Sequence, residues 1–175
     1  MVKETIIHHG VHRVSQSYHR GKELHMTKQQ KEGRYRRIYD QLQDLLKDKP
    51  NAIARMATMV AVLHHKMDYF FWTGFYLLDE GELIVGPYQG SLACIKLKKD
   101  TGVCWAGINR GETVIVPDVH KFPGHIACDS RSNSEIVVPL KEKDGKIIGV
   151  LDVDSKELNS FDETDAIWLQ QIIEL

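Results

Sequence analysis

Two runs rich in apolar, aromatic and β-branched residues flank Asp79-Glu80-Gly81, and two more flank Lys143-Asp144-Gly145. These paired runs constrain the fold more than any other feature, because a glycine-bearing acidic turn sends the chain back on itself and pairs its flanks as an antiparallel hairpin. The first hairpin joins Tyr69–Leu78 to Glu82–Tyr88, and the second joins Ile136–Leu140 to Ile147–Val153. Outside them the apolar period changes to 3.6. Tyr35, Ile38, Leu42, Leu45 and Leu46 predict a helix over Glu32–Asp48, closed by Pro50. Asn51 then caps a second helix reaching Lys66, with Ile53, Met56, Val60 and Leu63 on its buried face. Ser160 and Glu163 read as a capping box for a last helix carrying Ala166, Ile167, Leu169, Ile172 and Ile173. Between the hairpins, Leu92–Leu97 and Thr113–Val116 read as further strands, and Asp100 or Thr101 opens a short helix that Gly111 ends. The expected class is α+β, an antiparallel sheet with helices packed on one face and loops left free on the other.

A chain of 175 residues suits one domain. The His-rich stretch before Met26 lacks any core-forming period, which divides the chain into a mobile extension, residues 1–31, and a folded domain, residues 32–175. A net charge of -1 offers no basic face for nucleic acid. No apolar stretch approaches the roughly 20 residues that cross a bilayer, and the N-terminus lacks the apolar centre of a secretory signal. Three cysteines, an odd number in a chain of this size, fit free thiols in the reducing cytoplasm.

Those sulfurs are the first place to look for chemistry. A two-step thiol reductase needs one thiolate to take up an oxygen equivalent and a second thiol to discharge it as a disulfide. Cys128 lies in the long aperiodic segment Pro117–Asn133, where loop N–H groups and a protonated neighbouring histidine would lower its pKa. Cys94 falls within a strand pattern, and Cys104 near a helix start, where the dipole also favours a thiolate. Each of them could equally be a small apolar filler of the core. His120, His125 and Cys128 are a zinc-competent set, but no finger-like spacing supplies a fourth ligand.

A thiol reductase that removes an oxygen also needs a proton donor to it, and a carboxyl with a raised pKa can serve. Glu135 opens a strand just after the Cys128 segment, and alternation in Leu151-Asp-Val-Asp154 puts Asp152 and Asp154 on one face. Their like charges favour protonation of one of them, unless both simply face solvent at a strand end. Trp72 and Tyr76 share a side of their strand, as a wall for a thioether or as plain core.

The segments Trp72-Thr-Gly-Phe-Tyr76, Gly86-Pro-Tyr-Gln-Gly90, Leu92-Ala-Cys94, Gly102-Val-Cys104, Asp118 to Asp129, Ser132 to Pro139 and Gly149 to Ser155 closely resemble the free methionine-(R)-sulfoxide reductases, which are GAF domains. The likeness spans Glu32 to Leu175. It implies a GAF-like six-stranded antiparallel sheet with helices on one face and a loop-covered pocket on the other, commonly in a homodimer. It also implies reduction of free methionine sulfoxide without metal or organic cofactor, with thioredoxin as external reductant. By the same resemblance Cys128 is the nucleophile and Cys94 the leading resolving thiol, with Cys104 a second resolving thiol or the nucleophile itself. Glu135, Asp152 and Asp154 would hold the substrate amine and the protonated sulfoxide, while Trp72 and Tyr76 shape the methyl end. The competing expectation is a GAF module that binds a small molecule or senses redox state without catalysis.

Overall fold

Thr27 starts the first helix: its hydroxyl accepts from Gln30 N–H while the Gln30 side chain accepts from the Thr27 N–H, a reciprocal cap. The computed structural model describes residues 26–48, 50–125 and 128–175. Helix α1 (Lys28–Leu46) therefore begins four residues before the expected domain start at Glu32. Its Lys31 belongs to the fold, and the rest of the expected mobile extension, residues 1–25, lies outside the described residues. Helix α2 (Ala52–Lys66) begins where Asn51 Oδ1 accepts from Ala54 N–H at 3.0 Å. It buries Met56, Met59, Val60 and Leu63, whereas Ile53, expected on that face, is 69% exposed.

Two hairpins follow as expected: β1 (Trp72–Asp79) with β2 (Glu82–Gln89), and β5 (Ser134–Lys141) with β6 (Ile147–Ser155). The strands β3 (Lys96–Leu97) and β4 (Val114–Val116) complete a six-stranded sheet of order β3-β2-β1-β6-β5-β4, antiparallel at every pairing. Strand β3 is shorter than the expected Leu92–Leu97: the Ser91 and Cys94 carbonyls accept from side chains of β1, and the Ile95 carbonyl accepts from Val85 N–H of β2 just before the regular pairing begins. Helix α4 (Glu163–Ile173) is capped by Asp162 and Asp165, not by Ser160 and Glu163. The Ser160 hydroxyl is engaged instead with Ser155 Oγ at 2.8 Å, and its carbonyl accepts from Lys31 Nζ at 2.9 Å.

The sheet separates two cores. Helices α1, α2 and α4 cover one face, where Tyr35, Leu42, Leu63 and Leu169 pack on Phe75, Ile136, Leu151 and Val153. Each such fully buried side chain contributes about 1.5–3 kcal/mol. This cluster is clasped by charge: Lys31 Nζ reaches Asp165 Oδ2 at 2.6 Å, and Tyr35 and Tyr69 hydroxyls both donate to Asp165 Oδ1. On the opposite face lies α3 (Gly102–Arg110), whose Val103, Cys104 and Trp105 pack against Trp72, Tyr76, Val137 and Val150. The second face is thus not covered by loops alone: one helix walls it, and the functional side chains gather beneath.

Candidate active site

Strand register builds the floor. Asp154 lies directly opposite Trp72 on β1 and Glu135 on β5, and Asp152 lies opposite Gly74 and Val137. Directly opposed residues share a face, so Glu135, Asp152, Asp154 and the Trp72 ring converge under α3. All three acidic groups line a cavity of about 220 Å³ together with Trp72, Tyr76, Cys94, Cys104 and Cys128. Every catalytic and substrate-binding residue expected from the sequence lines this cavity, while His120 of the zinc-competent set does not. The volume is below the ~300–1,000 Å³ of sites for drug-sized ligands and suits a single amino acid. A larger depression of about 1340 Å³ lies on the helical side, between α2, α4 and the β5–β6 turn, but no cysteine lines it. Size alone would select the wrong cavity.

Gly74 makes the wall possible. A Cβ there would collide with the Trp72 ring and come within 2.5 Å of Tyr88 Cβ, so only glycine lets the indole lie flat against the sheet. Trp72 stacks between Tyr76, at 5.8 Å between centroids, and Tyr88, at 5.4 Å. The two wall residues also hold the Cys94 loop: Trp72 Nε1–H donates to the Ser91 carbonyl and the Tyr76 hydroxyl to the Cys94 carbonyl, each at 3.1 Å. This is why Cys94, expected within a strand, sits in a loop.

Cys94 and Cys128 are joined by a disulfide, with Cα atoms 5.7 Å apart. Cys128 is exposed and Cys94 half-buried, so the bond closes the rim of the cavity. The segment carrying Cys128 is less irregular than its sequence. Residues Val119–Lys121 form a 3₁₀ turn capped by Asp118, and its ends are tied by bonds from Val119 N–H to the Asn133 carbonyl and from Asn133 N–H to the Ser155 carbonyl. Arg131 pairs with Asp129 at 2.6 Å and lies over the Phe71 ring. His125 also lines the cavity, but burial, then the charge of His120, pushes its pKa down and disfavours the protonated ring. It does not supply the positive charge expected beside Cys128. The zinc-competent set of His120, His125 and Cys128 is likewise reduced here, since Cys128 Sγ is committed to Cys94.

Cys104, on α3, is the remaining thiol and is buried. Burial pushes its pKa well up, and the charges of Asp152 and Glu135 push it further. The helix start was expected to favour a thiolate there, but desolvation and two carboxyls outweigh the dipole.

The carboxyls divide by environment. Burial, then the charge of Asp152, raises both Glu135 and Asp154 well above the usual range. Asp152 is raised by burial to about 6, and hydrogen bonds from Cys104 and Glu135 hold it from rising further. Burial thus opposes ionisation of Glu135 and Asp154 more strongly than that of Asp152, which is the member of the trio that ionises most readily. No salt bridge among the described residues neutralises any of them. The Oδ1 atom of Asp152 is buried with no hydrogen-bond partner, a costly state that a bound donor would relieve. Two contributors escaped the sequence reading: Tyr88, and Ser132, whose buried hydroxyl bonds Asp154. Only Ser132 carried a signal, in the polar run Ser130–Ser134 next to Glu135.

Comparison with known proteins agrees with this geometry. The GAF domain model matches residues 57–175. GAF domain-containing protein A of Dictyostelium discoideum is 51% identical over 154 residues, 87% of this chain and 96% of that protein. The free methionine-R-sulfoxide reductase of Escherichia coli is 41% identical over 129 residues, 74% of this chain and 78% of that one. The X-ray structure of the free methionine-R-sulfoxide reductase from Neisseria meningitidis, in complex with its substrate, superposes with a TM-score of 0.78 at 44% identity, covering 82% of this chain and 86% of that one.

Proposed function

The chain belongs to the GAF domain family, among its free methionine-R-sulfoxide reductases, and from that premise we propose that it reduces free L-methionine (R)-sulfoxide to L-methionine through Cys128. One observation carries the reading: a bonded pair of sulfurs lies at the rim of a cavity whose floor holds three carboxyl groups, all with pKa values raised by burial.

The residues take distinct parts. Asp152, the group ionised at neutral pH, offers its unpartnered Oδ1 to the substrate ammonium. Trp72 and Tyr76 receive the methyl and thioether end, where sulfur and aromatic rings attract. The Cys128 thiolate attacks the sulfoxide sulfur while Glu135 or Asp154 protonates the oxygen. The oxygen passes to Cys128 as a sulfenic acid, the sulfoxide sulfur is reduced by two electrons, and methionine leaves. Cys94 then attacks the Cys128 sulfur, expelling the oxygen as water and forming the Cys94–Cys128 disulfide. Exchange with a dithiol, thioredoxin, restores both thiols. Cys104 is a poor candidate for attack because burial and its acidic neighbours keep it protonated; it stays in reserve as a second resolving thiol. The cycle uses no metal or organic cofactor, and the reading carries with it a cytoplasmic setting and a homodimer.

The test is incubation of the reduced protein with racemic free methionine sulfoxide and thioredoxin. Loss of the R epimer alone, abolished in Cys128→Ser, is expected. Tight binding of the sulfoxide with no methionine formed would return the site to a sensing module.

A further inference from the structure

We propose that the cavity floor is a binding site for a thiophilic divalent cation of the zinc class, formed by Cys104, Glu135 and Asp152, and that occupation by the ion excludes substrate. The three residues come from α3, β5 and β6, and their ligand atoms, one sulfur and two carboxylate oxygens, all lie within 4.8 Å of one another. Around a tetrahedral zinc, with Zn–S near 2.3 Å and Zn–O near 2.1 Å, such atoms stand about 3.4–3.7 Å apart. The longest separation therefore needs to close by no more than roughly 1 Å, within reach of side-chain rotation about the carboxyl ends.

A second observation points to a ligand. Asp152 is 7% exposed, its Oδ1 has no partner, and the residue lines the cavity. Burial of such an oxygen is tolerable where something binds it. Both an ammonium group and a metal cation meet that need, but the neighbouring Cys104 sulfur distinguishes them, because a thiolate ligand selects zinc-class ions over magnesium or calcium. Binding displaces the thiol proton of Cys104 and any proton on the two carboxyls. The result is a dication on three anionic ligands, with a fourth position open to the cavity. Three protein ligands and an open position are also the pattern of reactive zinc sites. Here the ion occupies the Asp152 oxygen assigned above to the substrate ammonium, so ion and substrate compete. That competition rests on the proposed function; the metal site itself does not.

Cobalt(II) separates the two. The full chain is titrated with Co²⁺ in its Cys94–Cys128 disulfide form, in which Cys104 is the sole thiol. A thiolate-to-cobalt charge-transfer band is read, which the histidines of the N-terminal stretch cannot produce. One Co²⁺ per chain is expected to saturate the band and Zn²⁺ to bleach it. Cys104→Ser should abolish it, and Asp152→Asn should weaken Co²⁺ binding about tenfold or more. Absence of the band in the wild-type protein, or its survival in Cys104→Ser, overturns the site. In the reduced protein, with thioredoxin as reductant and no chelating thiol, Zn²⁺ should raise KM for methionine sulfoxide without lowering kcat. A saturable band with KM unmoved would overturn the competition, and inactivity of the protein as a reductase would leave the cobalt result standing alone.

Discussion

Asp152→Asn should make the protein more stable and less active at once. Burial raises the Asp152 pKa from 3.8 to about 6. A raised acid pKa means that the folded state holds a proton the unfolded chain has released. Stability from this group is therefore complete below about pH 4 and is lost as pH rises through about 6. The shift of about two units, at 1.36 kcal/mol per unit, gives a penalty of roughly 3 kcal/mol at neutral pH. Asparagine is nearly isosteric, carries no charge, and can donate to Glu135 where aspartate only accepted. Urea unfolding with the disulfide intact should show little difference between variant and wild type at about pH 4. The variant's advantage should grow to roughly 3 kcal/mol by about pH 7. Turnover should move the other way, because a hydrogen bond to a charged group is worth about 1.5–3 kcal/mol, a loss of roughly 10- to 150-fold in kcat/KM. A variant less stable than wild type at pH 7, or a difference that does not change with pH, would refute the assignment of a buried, strained carboxylate.

Two further substitutions probe the scaffold. Lys31→Met removes the cation that meets Asp165 at 2.6 Å and leaves a buried carboxylate with its two tyrosine donors and the Asp162 N–H but no counter-charge; unfolding free energy should fall by about 3–5 kcal/mol, and a loss under about 1 kcal/mol would show that the clasp between α1 and α4 is incidental. Tyr76→Phe deletes the bond to the Cys94 carbonyl. Losing about 1 kcal/mol there should lower the equilibrium preference for the Cys94–Cys128 disulfide about fivefold in glutathione buffers, and an unchanged equilibrium would mean that the loop is held by other contacts.

The elements that could be seen in the sequence were those governed by local period. Alternation alone put Asp152 and Asp154 on one face, and turn chemistry alone set both hairpins. What stayed hidden depends on contacts between distant segments. Cys94 looks like a strand residue because Leu92–Leu97 is apolar in pattern, yet side-chain donors from β1 capture its backbone. The α4 cap lies two residues beyond Ser160 because the Ser160 hydroxyl is taken by Ser155, while Lys31, 131 and 134 residues away in sequence, holds the capping pair Asp162 and Asp165. The placement of α3 on the cavity face, and with it the raised thiol of Cys104, follows from packing against Val137 and Val150 that no local signal encodes. Gly74 appears in sequence as a weakness in a strand, and its purpose emerges only beside the Trp72 ring.

The most direct test is to catch the oxidised sulfur. Cys94→Ser, fully reduced and mixed with free methionine (R)-sulfoxide, should form one methionine per chain, and a sulfenic-acid trap followed by peptide mass spectrometry should place the adduct on Cys128. An adduct on Cys104 would contradict the account, since it would put the reactive thiolate where burial and two carboxyls oppose it.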